Sequence, residues 1–224
     1  AADPEVEAVY IATPHQMHAA HVAAVAAAGK HILVDKPLSV TMEDADKMVE
    51  AARSAGVYLI VGPSHSFDPP VVHASQIIES GQFGAVRMVQ AFNYTDFLYR
   101  PRRPEELRTE EGGGVLFSQG VHQIDIVRLL CGGRARSVTA MTGAWDPERP
   151  TEGAYSALMD FENGAFATLT YSGYAHFDSD IWMDNVAELG GQKHPAGYGA
   201  ARRALRQHDP TEEAKLKSSR TYGA

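Results

Sequence analysis

The stretch Lys30-His31-Ile32-Leu33-Val34-Asp35-Lys36-Pro37 decides how the rest of the sequence is read. Its apolar run from Ile32 to Val34 lies between Gly29 and Pro37. That punctuation, with β-branched content, points to a buried strand of a parallel sheet rather than to a helix segment. An acid, a lysine and a proline then stand at the strand's carboxyl end. In open α/β sheets ligands bind outside the carboxyl ends of the strands, so Lys36 is placed for chemistry by position alone. Pro37 offers no N–H to a sheet ladder and biases Lys36 toward an extended backbone, which ends the strand there. Taken alone, the tripeptide also fits a solvated Asp-Lys pair.

Ala8-Val9-Tyr10-Ile11-Ala12 reads as another short strand running into Thr13-Pro14-His15-Gln16-Met17-His18. Thr13 is expected to cap a helix with Pro14 at its first position, and an Ala-rich helix follows to Gly29. A second helix, from Thr41 to Ala55, has its cap at Thr41, acids Glu43 and Asp44 in its first turn and Gly56 as its stop. A third strand covers Val57 to Gly62. Strand and helix alternate from residue 1 to about 62, which predicts a parallel sheet with right-handed crossovers, half of a doubly wound domain.

From residue 63 to 224 the pattern is that of an α+β domain with a mostly antiparallel open sheet. Asp68-Pro69-Pro70 opens a helix ending at Glu79, and Ala85 to Asp96 is a strand. A charged loop follows with Arg100, Arg102 and Arg103. After Gly112-Gly113-Gly114, helical spacing runs from Val115 to Leu130, with Leu116, Ile124, Val127 and Leu130 as its apolar set and Gly132-Gly133 as its stop. Strands at Ser137 to Thr142, Tyr155 to Phe161 and Ala165 to Ser172 complete the sheet, the last two joined by a hairpin at Glu162-Asn163-Gly164. The tail from Gly190 is polar, with one short basic helix around Tyr198 to Arg206.

The 224 residues carry a formal charge of −8 and no long basic run, which argues against a nucleic-acid partner held through phosphates. The single cysteine, Cys131, cannot form an intrachain disulfide and fits a reducing cytoplasm. No stretch approaches the roughly 20 apolar residues of a membrane span, so a soluble, cytoplasmic protein without membrane contacts is expected. His15, His18, His21, His31 and His65 lack the spacing and neighbouring carboxylates of a metal site, and no metal is expected.

Thr13-Pro14 with His18, then Ala28-Gly29-Lys30-His31-Ile32, then Asp35-Lys36-Pro37, resemble the Gfo/Idh/MocA family of NAD(P)-dependent oxidoreductases. That family has T-P-x-x-x-H, A-G-K-H-V and E-K-P at these places. The resemblance implies a dinucleotide site to which Thr13, Pro14, His18, Asp35, Lys36 and Pro37 contribute, with NAD or NADP as cofactor. It also implies Lys36 as the acid/base or its electrostatic partner beside the reacting hydroxyl. The family's G-G-x-L-x-D-x-G-x-H-x-x-D matches Gly112 to Asp125 at His122 but not at Ser118, where the family has Asp. A serine can hydrogen-bond a substrate but cannot act as a base near neutral pH, so proton transfer falls to Lys36 and His122. The family's glycine fingerprint is absent from the 224 residues, and the expectation is that a pyrophosphate-binding half precedes Ala1.

The loop Asn93-Tyr94-Thr95-Asp96-Phe97-Leu98-Tyr99-Arg100-Pro101-Arg102-Arg103 is similar to that of the phthalate 4,5-cis-dihydrodiol dehydrogenase subgroup. Guanidinium forks bind carboxylates in pairs, so Tyr94, Arg100, Arg102, Arg103, Ser118 and His122 are expected to meet an aromatic carboxylate or a polyol. The expected activity is hydride transfer between nicotinamide and a secondary alcohol or cis-dihydrodiol carbon, in a homo-oligomer. Sugar dehydrogenases and non-catalytic dinucleotide sensors on the same fold are the alternatives.

Overall fold

A computed structural model describes residues 3–187 and 190–219. The chain forms two compact units, one up to Pro63 together with Glu110–Gly112, the other Ser64–Thr109 with the chain from Gly113 onward. The return of Glu110–Gly112 to the first unit differs from the unbroken division at residue 62 that the sequence suggests. There Gln16 donates to the Glu111 carbonyl at 2.9 Å.

In the first unit β1 (Ala8–Ile11), β2 (His31–Val34) and β3 (Leu59–Val61) are parallel in the order β1-β2-β3, which makes the Ile32 strand central. The crossovers are α1 (His18–Ala27) and α2 (Met42–Ala55). Thr41 caps α2 by accepting from the Asp44 N–H at 3.1 Å, and Gly56 ends it. Two right-handed crossovers stepping the same way put both helices on one face. Ile11, Ile32 and Val34 are buried on that face with Val22, Val25 and Met48. The strands are therefore buried on one side only: Tyr10, Leu33 and Ile60 on the other are exposed.

The second unit begins with α3 (Pro69–Glu79), followed by β4 (Met88–Tyr94), α4 (Val121–Cys131), β5 (Ala135–Gly143), β6 (Ala154–Phe161) and β7 (Phe166–Ser172). Its sheet has the order β4-β7-β6-β5, with β5-β6-β7 antiparallel and β4 parallel to β7. Period-2 alternation decides the faces. Tyr155, Met159, Phe161, Ala167, Leu169 and Tyr171 pack with Val115 and Val127, while Leu158 and Phe166 of the same strands lie exposed. The tail holds α5 (Ala200–Leu205) and a further short helix, α6 (Glu213–Ser218), which the polar sequence did not suggest.

The long helix expected from Val115 is in fact a π-helical turn, Leu116–Gly120, continuing into α4. Its start is held by Glu152, which is buried. That carboxylate accepts from the Leu116 N–H at 3.1 Å and from the hydroxyls of Thr109 and Thr151. An anion at the start of a helix satisfies otherwise orphaned N–H groups and is favoured by the backbone dipoles. Gly114, at φ +87°, makes room, since a Cβ there would run into the Glu152 carboxylate.

Gly114→Ala should therefore destabilise the second unit by about 2 kcal/mol or more, combining positive-φ strain with displacement of a buried charge. Denaturant midpoints of the variant and the parent measure the loss, and a difference below about 0.5 kcal/mol would contradict this account.

Candidate functional site

At the carboxyl end of the parallel sheet the backbone is fixed from several directions. The Asp35 N–H donates to the Ile11 carbonyl at 2.8 Å, and the Asp35 carboxylate accepts the Lys36 N–H at 2.8 Å. Asp35 thus orients the turn that carries Lys36, whose side chain is half-buried. The Lys36-Pro37 peptide is cis, and Pro37 itself is buried.

His18 is 1% exposed, at the start of α1. Its Nδ1 lies 3.1 Å from the carbonyls of both Pro37 and Leu38, and its Nε2 lies 2.9 Å from that of Thr13. So His18 braces the loop after β1 against the loop after β2, rather than presenting an edge outward. Thr13 does not cap the helix: its hydroxyl pairs with His21 Nδ1 at 3.0 Å, and Pro14 takes the N-cap position of the 3₁₀ turn His15–Met17. Thr13, Pro14, His18, Asp35, Lys36 and Pro37 therefore converge at one sheet end.

In the second unit the π-helical turn brings Ser118, Gln119 and His122 onto consecutive turns. The Ser118 hydroxyl donates to the Gly114 carbonyl, so its proton is committed to the backbone. Gln123 is locked to the sheet, accepting from Tyr155 Oη at 2.6 Å and donating to the Thr170 carbonyl. Burial, aided by Tyr171, holds the Tyr155 phenol well above its ordinary pKa, so it remains a donor. A Cβ on Gly120 would sit 3.0 Å from Leu116 and 3.4 Å from Tyr155, so a glycine allows this turn to lie close against the sheet. His122, 8% exposed, is fixed between these anchors, with the His65 ring edge-on at 4.1 Å between centroids. His65 in turn pairs with Asp68, Nδ1 to Oδ2 at 2.9 Å. The sequence reading weighed His65 only as a metal ligand and set it aside. The i, i+3 spacing of His65 and Asp68 was the available signal.

The three arginines separate. Arg102 is buried, donating to the Phe97 carbonyl at 2.8 Å and stacking 3.8 Å over the Phe97 ring, with Glu106 at 3.6 Å. Burial pulls its guanidinium below its ordinary value while Glu106 pulls it back up. Arg103 lies 4.0 Å from both Glu105 and Glu106. Both side chains hold their own loop together, and the threefold clamp expected from the sequence reduces to Arg100, which is exposed. Tyr94 also departs from expectation: it stacks on Phe177 at 5.7 Å and meets Trp182 edge-on at 5.9 Å. Its neighbour Asn93, on the opposite face of β4, instead lines a polar cavity of about 210 Å³. Thr95, Arg100, Gln119, Asp180 and Lys193 share its walls. Lys193 bridges Asp178 and Asp180, which raise its pKa against the opposing effect of burial.

Residues 1–63 match the model of an oxidoreductase family with an NAD-binding Rossmann fold, and residues 71–194 match the GFO/IDH/MocA C-terminal domain. The chain belongs to the Gfo/Idh/MocA family. A protein of Comamonas testosteroni named 1-carboxy-3-chloro-3,4-dihydroxycyclo hexa-1,5-diene dehydrogenase is 56% identical over 193 residues, covering 86% of this chain and 48% of that protein. A crystal structure from Bordetella bronchiseptica RB50 superposes with a TM-score of 0.91 at 50% identity, over 97% of this chain and 57% of that one. Levoglucosan dehydrogenase in complex with NADH and levoglucosan gives a TM-score of 0.69 at 29% identity, over 79% of this chain and 51% of that one. The chain thus spans about half the length of these Gfo/Idh/MocA relatives. Among the described residues no helix is long and apolar enough to cross a membrane, and no group of three or more His, Cys, Asp or Glu is arranged to hold a metal ion.

Because His18 ties three backbone carbonyls together, His18→Ala should destabilise the first unit by about 2 to 4 kcal/mol through lost hydrogen bonds and the cavity left behind. Urea unfolding followed on this unit measures it. An unchanged midpoint would mean that the two loops are held by something else.

Proposed function

We propose that the protein is an NAD-dependent dehydrogenase of a ring-sized, carboxylated cis-dihydrodiol, with a sugar or polyol substrate as the weaker alternative. The observation that carries this reading is the polar cavity on the core face of β4 and β7. It brings Arg100, Asn93 and Gln119 together, and Gln119 precedes His122 by three residues. Drug-sized sites occupy roughly 300–1,000 Å³, and this smaller space suits a single ring carrying hydroxyls and a carboxylate. Arg100 supplies the fork for the carboxylate, and Asn93 and Gln119 are amides suited to diol hydroxyls. The Comamonas testosteroni relative carries a carboxylated dihydroxycyclohexadiene in its name, which supports the same choice.

The first unit is read as part of the dinucleotide domain and the second as the substrate domain. The residues present fit a dinucleotide, since the braced turns Thr13-Pro14 and Asp35-Lys36-Pro37 form the carboxyl ends of adjacent parallel strands, where such folds bind one. Bound NAD supplies the hydride acceptor. Lys36 donates to the reacting oxygen and offsets the negative charge that grows there as the hydride leaves its carbon. His122 accepts the hydroxyl proton on an unprotonated ring nitrogen. Loss of two hydrogens from a dihydroxycyclohexadiene ring leads to an aromatic diol, so the oxidation is driven forward.

The outer face of the second sheet exposes Met88, Phe92, Met141, Leu158 and Phe166, and we read this face as the contact with a second copy of the chain. A cytoplasmic location accords with the lone, buried Cys131.

In the natural full-length protein, Lys36→Ala should lower kcat by on the order of 10² or more with little change in NAD affinity. Turnover equal to the parent's would remove Lys36 from the mechanism. Arg100→Ala should raise KM for a carboxylated dihydrodiol by roughly 10-fold or more, the loss of a charge-assisted pair, and leave the uncarboxylated analogue unaffected. Equal effects on the two substrates would place the carboxylate elsewhere.

A further inference from the structure

The pair His65 and Asp68 belongs to no motif used so far, yet it is built against His122. Asp68 occupies the N-cap position of α3, where a carboxylate ordinarily accepts from the helix's first N–H groups. It makes no such cap here. Its Oδ2 takes His65 Nδ1 at 2.9 Å instead, so the stabilisation of a capped helix is forgone to orient one imidazole. That imidazole stands in the 3₁₀ turn His65–Phe67, and its ring meets the His122 ring at 4.1 Å between centroids with 71° between planes. His122, on the first turn of α4, is the more buried of the two. A row results: carboxylate, imidazole, imidazole.

We propose that His65, oriented by Asp68, is a positioning residue for His122. This rests on the reading of His122 as acceptor of the substrate's hydroxyl proton. Asp68 can only accept, so Nδ1 of His65 carries the hydrogen, which fixes the tautomer and rotation of that ring. The edge-on contact at 4.1 Å then limits how the His122 ring can turn. A base whose accepting nitrogen is held in one direction loses less rate to misorientation than one that rotates freely. The Asp68 charge, one ring removed, also favours His122 once it has taken up the substrate proton. His65 itself gains and loses nothing in the step: the O–H bond of the substrate breaks and an N–H bond on His122 forms.

The test is a double-mutant cycle in the natural full-length protein, read by steady-state kinetics on a carboxylated dihydrodiol and by nitrogen-15 NMR of the imidazoles. His65→Ala should lower kcat about 10-fold or more while KM changes less than about threefold, and Asp68→Asn should act in the same direction. Since His65 works through His122, adding His65→Ala to His122→Ala should cost nothing further. His65→Gln, which keeps a hydrogen-bonding side chain, should recover part of kcat and serves in place of His65→Ala if that variant does not fold. The His122 ring signals should shift in His65→Gln and in Asp68→Asn. Full activity in His122→Ala would overturn the reading of the site itself. A large loss there, combined with a normal kcat in the His65 variants, additive losses in the double variant or unmoved His122 signals, would overturn the positioning role alone.

Discussion

A buried carboxylate at the start of a helix is the constraint on which the second unit depends. Glu152 ends the connection into β6, yet its oxygens take the Leu116 N–H and the Thr109 hydroxyl, so one side chain ties the charged loop, the helix start and the sheet together. An unpaired anion at this depth would cost several kcal/mol, so these donors must stay in place for the charge to be tolerated. That requirement propagates: Gly114 must lack a side chain, the turn that follows it opens into a π-helix, and His122 arrives one turn later against the sheet. Gln123, bonded to Tyr155 and to the Thr170 carbonyl, fixes the same helix from its other side.

The first unit meets a similar demand with a buried imidazole. The turns after β1 and β2 are irregular backbone at the end of a sheet, where carbonyls would otherwise face burial without donors. From inside, His18 sets Nδ1 against two of them and Nε2 against a third. The resemblance to known sequences brought His18 forward as a cofactor neighbour. Its burial gives it a bracing role, in which it supports the turns after β1 and β2 while remaining covered itself.

The arginine loop shows how composition misleads. Three guanidinium groups within four residues suggest one binding fork, but a loop of that length needs internal ties. Arg102 and Arg103 find theirs in Phe97, Glu105 and Glu106, all within five residues. Only Arg100 reaches the cavity wall, together with Asn93, a residue passed over in favour of its neighbour Tyr94. The two point to opposite faces of β4 because side chains alternate along a strand, and a sequence without known register does not say which face is which.

By itself the sequence determined the order of elements, the parallel pairing around Ile32 to Val34, the hairpin at Glu162-Asn163-Gly164 and the family of the chain. Each of these follows from local signals: apolar runs between glycine and proline, a cap at Thr41, and motif residues at fixed spacing. Only the tertiary structure decided which side chains are spent on the protein itself. Ser118 donates to a carbonyl four residues back, and Thr13 turns to His21 rather than to a helix end. His65, set aside in the sequence, lies against His122 because the turn His65–Phe67 packs on α4. Hydrogen-bond partners distant in sequence depend on packing, and packing is fixed only when the elements have met.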